Sequence, residues 1–475
     1  MPLQLRKAIP LLPFACVMAG ALCWMLYVTW TQYASNHTYL SDVGIFNALC
    51  YGPIYGNWLR TPLAPDIAGN YFGIHFQPIL LLLTPLYFVF NHVTTLLFVQ
   101  TGALALAAIP WTLFVHALTQ NRLIAFAAMV LYLCNHFVLS IHLANHPESI
   151  AIPFIMTLFY ARETARWRLF FVALFVALCV KEDFSLFLFP WCVTIAMKKE
   201  TRKQGIMAAS ACAIWAIMAH LIMRWCGAAE FERIGMTPVS RYASWGSTNG
   251  EILLHAIMNP VEVARRIVSR PLFILVISTG VLCVLDWRAV WIGVLAAAPF
   301  LATDEPIISR LDYYYAYAAL PFFFFSTARG IQILHRKFPN NHAVIAYAIT
   351  PIFLLLSAWS FFSPTQTDDL MDRPFPVSSH QSLTSEILKN IPRDAAVAAQ
   401  FDLYTRVPHR KELFGLREAN LPRVDYVALD LQGTAPDLLG DERKRVSDEL
   451  SSANWESVMN LDGFVILKRT GARAQ

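Results

Sequence analysis

Acids, histidines and a lysine are set among apolar neighbours at a few points of the chain. Asp42 lies in TYLSDVGIF, and His75 opens HFQP further on. A carboxylate at a water–lipid boundary can serve as a general base, although Ser41-Asp42 before an apolar turn also reads as a helix N-cap. A histidine can shuttle a proton or ligate a metal near neutral pH, or simply hydrogen-bond at the interface. Asn145-His146-Pro147-Glu148 brings a second acid into a turn with His142 nearby. Capping competes there, since Pro147 suits a helix start and Glu148 would favour the helix dipole. Lys181-Glu182-Asp183 interrupts an otherwise apolar stretch. Ionisable groups near membrane depth are expensive, so function is the favoured reading over a solvated turn. Near residue 310, Asp304-Glu305 and Arg310-Leu311-Asp312 precede Tyr313, Tyr314, Tyr315 and Tyr317. The Arg310 guanidinium suits phosphate, and the tyrosines suit an interfacial belt. Arg265, Arg266 and Arg270 end an amphipathic stretch that could meet lipid headgroups.

The elements that must position these groups are set by composition. Of 475 residues, 56% are hydrophobic and 15% charged, and the mean hydropathy is +0.47. Soluble globular chains carry about 25% charged residues, so a soluble enzyme is excluded and a disordered chain more so. Apolar runs fall near 8–30, 93–118, 123–142, 149–161, 169–180, 184–197, 205–226, 271–286, 288–303, 314–330 and 343–363. Taken as crossings, they predict about 11 transmembrane helices with outer juxtamembrane helices. The nine cysteines show no metal-ligand or disulfide spacing and read as small buried hydrophobes.

Arg6-Lys7 before the first run places the N-terminus in the cytoplasm, and the later basic links share that side. The stretch 75–91 would invert every later link if it crossed. It is therefore expected to lie along or dip into the outer face, with Pro78 and Pro85 interrupting a straight helix; the alternative is a true span beside a neighbouring run that fails to cross. The acids and histidines then collect on the outer side. Three parts are expected: a transmembrane domain over 1–363, a Pro/Asp-rich linker over 364–378, and an extracytoplasmic α/β domain over 379–475. Helices are predicted near 379–390 and 437–454, and strands near 395–400, 424–431 and 464–468.

The stretches SDVGIFNALCYG, GIHFQPILLLLTPLYFVF, LANHPESIAIPF, VKEDFSLFLF, LDYYYAYAALPFFF, IPRDAAVAAQFDLYTRVPHR and VDYVALDL cover most of the chain in order. In them it resembles the bacterial membrane-protein family catalogued as domain of unknown function 2079, which itself looks like a branch of the class-C glycosyltransferase (GT-C) superfamily. The resemblance implies an inverting glycosyltransferase of the bacterial inner membrane that uses a polyprenyl-phosphate-linked sugar on the outer face. The acceptor would be a hydroxyl of a glycan, lipid or protein. Membrane lipids are further partners, and no nucleic acid is expected. Asp42 matches the superfamily's first-loop carboxylate and would be the base. Glu148, His75, Glu182 and Asp183 would orient the acceptor or hold a metal, and Lys181 and Arg310 would bind phosphate. The superfamily's acid often stands in an acidic pair, whereas Asp42 is flanked by Ser41 and Val43, which leaves open a need for a divalent cation such as Mg or Mn. A transporter or flippase of lipid-linked sugars is the competing reading. It would show repeat symmetry and polar groups at mid-bilayer, and the sequence has no repeat. A scaffold that docks partners would give no reason for so many ionisable groups in the turns.

Overall fold

The computed structural model describes residues 11–62, 70–228, 238–362, 374–433 and 440–472. Arg6, Lys7 and most of the expected linker, 364–373, lie outside the described residues. The chain forms two units. One gathers Met1–Leu26, Ile74–Gln77 and Gln100–Met371, and the other Tyr27–Gly73, Pro78–Val99 and Asp372–Gln475.

The expectation of a GT-C-like bundle with about 11 transmembrane helices is corrected. Among the described residues, four helices are long and apolar enough to cross a membrane: Leu12–Ala34, Thr94–Thr119, Lys199–Trp225 and His342–Phe362. A fifth crossing arises if the bent pair Arg122–Leu133 and His136–Ala144 counts as one. The protein is thus a multi-pass membrane protein with fewer crossings than its apolar runs suggest. The reason is length. A helix rises about 1.5 Å per residue and must cover a hydrocarbon core of about 30 Å. Ala151–Glu163, Trp167–Val180, Phe184–Ala196 and Trp287–Leu301 have 13, 14, 13 and 15 residues. The run 271–286 breaks at Gly280, whose φ of +99° ends Arg270–Ser278 before a short 3-10 turn, Val281–Leu285. Ile79–Val89, with Pro85 inside, has 11 residues and is likewise too short to cross.

In the first unit the short helices pack around buried Trp111, Phe114, Phe159, Trp191, Phe322 and Phe325. Phe114 and Phe325 stack at 5.6 Å, and Phe159 meets Phe325 at 4.6 Å. Where lipid tails are as apolar as leucine, such packing gains from dispersion and fit rather than from leaving water. The indole of Trp111 donates to Ala128 O at 2.8 Å, so this buried ring leaves no N–H unpaired. A side chain on Gly205 would come within 2.1 Å of Ala196 N, so glycine sets how closely Lys199–Trp225 meets its neighbour.

The bend of 43° after Leu133 has a local cause. The Asn135 carboxamide oxygen accepts from Phe137 N and Val138 N at 2.9 and 3.3 Å, and its nitrogen donates to Ser278 O at 3.0 Å. Ser360 Oγ accepts from His136 N at 2.7 Å. These side chains satisfy donors that a helix start leaves without intrahelical acceptors. The second half-helix, His136–Ala144, ends at Asn145 in the left-handed conformation, φ +51°.

The second unit holds a five-stranded sheet of order β2-β1-β3-β5-β4. The strands are β1 Val397–Ala399, β2 Leu413–Gly415, β3 Tyr426–Asp430, β4 Trp455–Leu461 and β5 Phe464–Arg469. β1 runs parallel to β2 and β3, while β5 runs antiparallel to β3 and β4. Alternation sorts its faces: Val397 and Ala399 join a core with Ile387, Tyr404 and Phe464, and Ala396 and Ala398 join one with Val446 and Trp455. Leu40, two residues before Asp42, is part of the first of these cores. The Arg406 guanidinium donates to Tyr33 O and Ala34 O at 2.7 and 3.0 Å, and so receives two carbonyls at the end of the first helix. Helix Ser379–Leu388 opens on a capping box between Ser378 and Gln381.

Candidate functional site

Helix Trp167–Val180 ends at Lys181, whose backbone is extended (φ −164°, ψ 151°), and the chain re-enters helix at Phe184. This break turns three consecutive charges into the first unit instead of spreading them around a helix. Lys181 Nζ donates to Glu148 Oε1 at 2.7 Å and lies 3.5 Å from Asp183 Oδ2. Glu148 is fully buried, and its other oxygen accepts from His146 Nδ1. The His146 ring stacks on Tyr314 at 3.6 Å. The Tyr317 hydroxyl donates to Asp183 Oδ2, and Lys181 Nζ lies 5.4 Å from the Tyr317 ring centre. Beside this group, Glu182 accepts from His75 Nδ1 at 2.8 Å and from Phe76 N at 2.9 Å. Four stretches of one unit, 74–77, 146–148, 181–183 and 314–317, thus meet in a single charged cluster.

Its electrostatics are uneven. Burial alone would raise the Glu148 carboxyl, but the charges and hydrogen bonds of His146 and Lys181 outweigh it and hold Glu148 well below the usual range. Burial would lower the Lys181 ammonium, and Glu148, Tyr317 and Asp183 reverse that, so Lys181 stays firmly charged. Asp183 behaves differently. Burial dominates, Lys181 opposes it, and Glu182 and Glu148 add repulsion, so its carboxyl is pushed up to about 6. Asp183 Oδ1 is buried with no hydrogen-bond partner. A carboxylate with one oxygen tied and the other open can receive a hydroxyl or a proton.

The structure brings together five of the residues singled out from sequence: His75, Glu148, Lys181, Glu182 and Asp183. Neither capping nor a solvated turn accounts for the Glu148–Lys181 pair, because both side chains are buried and the N-cap positions there are His146 and Ile150. Arg310 is exposed at the end of the short helix Pro306–Ser309 and forms no ion pair among the described residues. Asp42 is exposed on a turn, Leu40–Gly44, in the other unit. It is not an N-cap residue, since Tyr39 and Gly44 hold those positions. Arg266 is engaged with Asp304 at 2.8 Å and Glu262 at 3.0 Å.

Sequence reasoning missed Tyr317 as a partner of Asp183. Its signal was a tyrosine run next to Asp312, which an interfacial belt explained equally well. It also missed a polar cluster at the carboxyl end of β3, where His380 bridges Asp430 and Asp462 at 3.0 Å each. Nearby, burial and the Asp430 charge push the Asp402 carboxyl up to about 6. Among the described residues no three His, Cys, Asp or Glu side chains are grouped to hold a metal ion.

A family described as "Predicted membrane protein (DUF2079)" matches residues 37–466. No curated protein matches the chain. Among solved structures it is similar to the archaeal oligosaccharyltransferase AglB from Archaeoglobus fulgidus in complex with an inhibitory peptide and a dolichol-phosphate. That similarity has 12% identity and a TM-score of 0.36, over 87% of this chain and 69% of that one. A second Archaeoglobus fulgidus oligosaccharyltransferase structure, a complex with Zn and sulfate, has 13% identity and a TM-score of 0.28, over 83% of this chain and 68% of that one.

Proposed function

The chain belongs to the DUF2079 family of predicted membrane proteins, and on that premise we propose that it is a membrane glycosyltransferase that moves a sugar from a polyprenyl-phosphate donor to an acceptor hydroxyl. The observation that carries this reading is the buried cluster around Lys181, in which Asp183 Oδ1 has no partner. Buried ionisable groups in a multi-pass chain are costly, and perturbed carboxylates concentrate at sites of chemistry.

In the proposed reaction the acceptor oxygen attacks the anomeric carbon from the face opposite the phosphate, inverting it. The bond between that carbon and the phosphate oxygen breaks, and its electron pair leaves with the polyprenyl phosphate. The hydroxyl proton passes to a carboxylate. Asp42 takes this role by the family resemblance. Asp183 orients the acceptor through its open oxygen, while Glu148, Glu182 and His75 fix the position of Lys181 and of the 74–77 stretch. Lys181 keeps Glu148 and exchanges its longer contact, Asp183 at 3.5 Å, for a phosphate oxygen. Exposed Arg310 supplies a second cation for that phosphate. The reaction side is the outer face and the N-terminus is cytoplasmic. The support is Arg6-Lys7 before the first crossing helix and Arg122 after the second.

Purified full-length chain in nanodiscs, supplied with a radiolabelled polyprenyl-phosphate hexose, tests the reading. Asp42→Asn and Asp183→Asn should each lower transfer by about 100-fold or more while the protein stays folded. Full transfer by folded Asp42→Asn removes Asp42 as base. Full transfer by both variants, or movement of the lipid-linked sugar across the bilayer without turnover, removes the proposal.

A further inference from the structure

The helices that bear the charged cluster at their starts carry a second polar feature at their ends. A cavity of about 310 Å3 there is lined by Arg162, Lys198, Arg288 and Arg329, with Asp286 the one carboxylate in its wall. Arg162 comes from the last turn of Ala151–Glu163, and Lys198 follows Phe184–Ala196. Arg288 lies in the first turn of Trp287–Leu301, and Arg329 lies midway along Leu320–Lys337. Four elements therefore aim positive charge into one space.

The charges are not matched. Arg329 Nε meets Asp286 Oδ2 at 3.3 Å, and Arg162 Nη1 meets Glu163 Oε2 at 3.1 Å. Asp286 is also committed to its own helix, whose Ala289 N it accepts at 3.4 Å. Lys198 and Arg288 form no ion pair among the described residues. Arg288 lies 5.6 Å from the Trp287 ring centre, a contact through its face that leaves its N–H edges open. Cations crowded in this way repel one another: burial first, then Arg162 and Arg329, draw the Lys198 ammonium below its usual range. The rest of the wall includes Trp191, Ile195, Ile292 and Phe325, which supply no anion.

We propose that this cavity is a binding site for a phosphate-bearing anion, held by Lys198 and Arg288 between the two existing ion pairs. Guanidinium and ammonium donors converging on one half-open cavity match tetrahedral phosphate oxygens, and charge-assisted bonds are the stronger kind. The phosphate can be an anionic phospholipid headgroup, its tails on the apolar wall, as basic pockets between membrane helices bind such headgroups. It can equally be a soluble phosphate. The site is separate from the Lys181 cluster and does not depend on the transfer reaction.

Full-length chain in neutral detergent is titrated with phosphatidylglycerol, with phosphatidylcholine and with inorganic phosphate, read by thermal unfolding and native mass spectrometry. The expected result is stabilisation and retained adducts with phosphatidylglycerol, with phosphate, or with both, and neither with phosphatidylcholine. A response to phosphatidylglycerol alone identifies the lipid source, and a response to phosphate identifies the soluble one. The double variant Lys198→Gln/Arg288→Gln removes no partner of a carboxylate and should weaken binding about tenfold or more. Lys198→Gln alone, at an exposed position, gives the same reading at about threefold should the double variant fold poorly. Equal effects of phosphatidylglycerol and phosphatidylcholine without any response to phosphate, or binding that survives the double variant, overturns the site.

Discussion

Helix Ala151–Glu163 begins and ends in charge, but the two ends are built differently. At its start, Glu148 and Lys181 are buried and each is bound by an opposite charge within hydrogen-bond reach. At its finish, four cations share two carboxylates, and two of the four have no ion pair among the described residues. The first end is a closed network in which removing one member strands another in a poor solvent. The second is an open one in which the missing member is an anion from outside. Formal charge alone does not separate them; burial and pairing do.

The contrast breaks most readily at Glu148. Glu148→Gln leaves Lys181 buried with its longer contact, Asp183, as its one remaining ion pair, and should cost about 3–5 kcal/mol in thermal or denaturant unfolding. A loss below about 1 kcal/mol would place Glu148 with surface pairs instead. Tyr317→Phe removes the donor to Asp183 and should cost about 1–3 kcal/mol. It should also move the Asp183 midpoint above about 6, because that hydrogen bond favours the charged carboxylate.

The pH dependence sharpens the comparison further. The folded chain holds the Asp183 proton more tightly than an unfolded carboxyl with its value of 3.8. The resulting stability is fully present below 3.8 and is lost as pH rises through about 6. Measured against Asp183→Asn over that window, the natural protein should lose on the order of 1–2 kcal/mol as pH rises. Glu148 has the opposite sign: its contribution is present above 4.5 and lost as pH falls below it. The smallest effect belongs to the open end. Without phosphate or anionic lipid, Lys198→Gln/Arg288→Gln should stay within about 0.5 kcal/mol of the natural protein in the same unfolding assay.

The charged cluster of this chain is more legible in its residues than its crossings are. Lys181-Glu182-Asp183 stands out because charge is conspicuous among apolar neighbours, and its convergence with Glu148 and His75 follows from a membrane chain having few other places for such groups. The crossings misled because an apolar run reports affinity for a dry environment, not the length of helix it forms. Gly280 and Asn135 divide runs that look continuous in hydropathy. β2 and β4 escaped for a related reason: β2 is three residues long, and β4 is largely exposed, so neither shows the continuous apolar run that marks β3. Tyr317 was invisible as a partner because Asp183 lies 134 positions away along the chain.

Asn135 shows what such a division accomplishes. The nine residues of His136–Ala144 span roughly 13 Å, so a deflection of 43° displaces the far tip by roughly 10 Å from where a straight rod would carry it. The turn that follows immediately bears Glu148. One carboxamide, by accepting two amides and reaching across to Ser278, thus works as a rudder: Asn135→Leu would invite the rod to straighten and steer the acid away from its lysine without touching either.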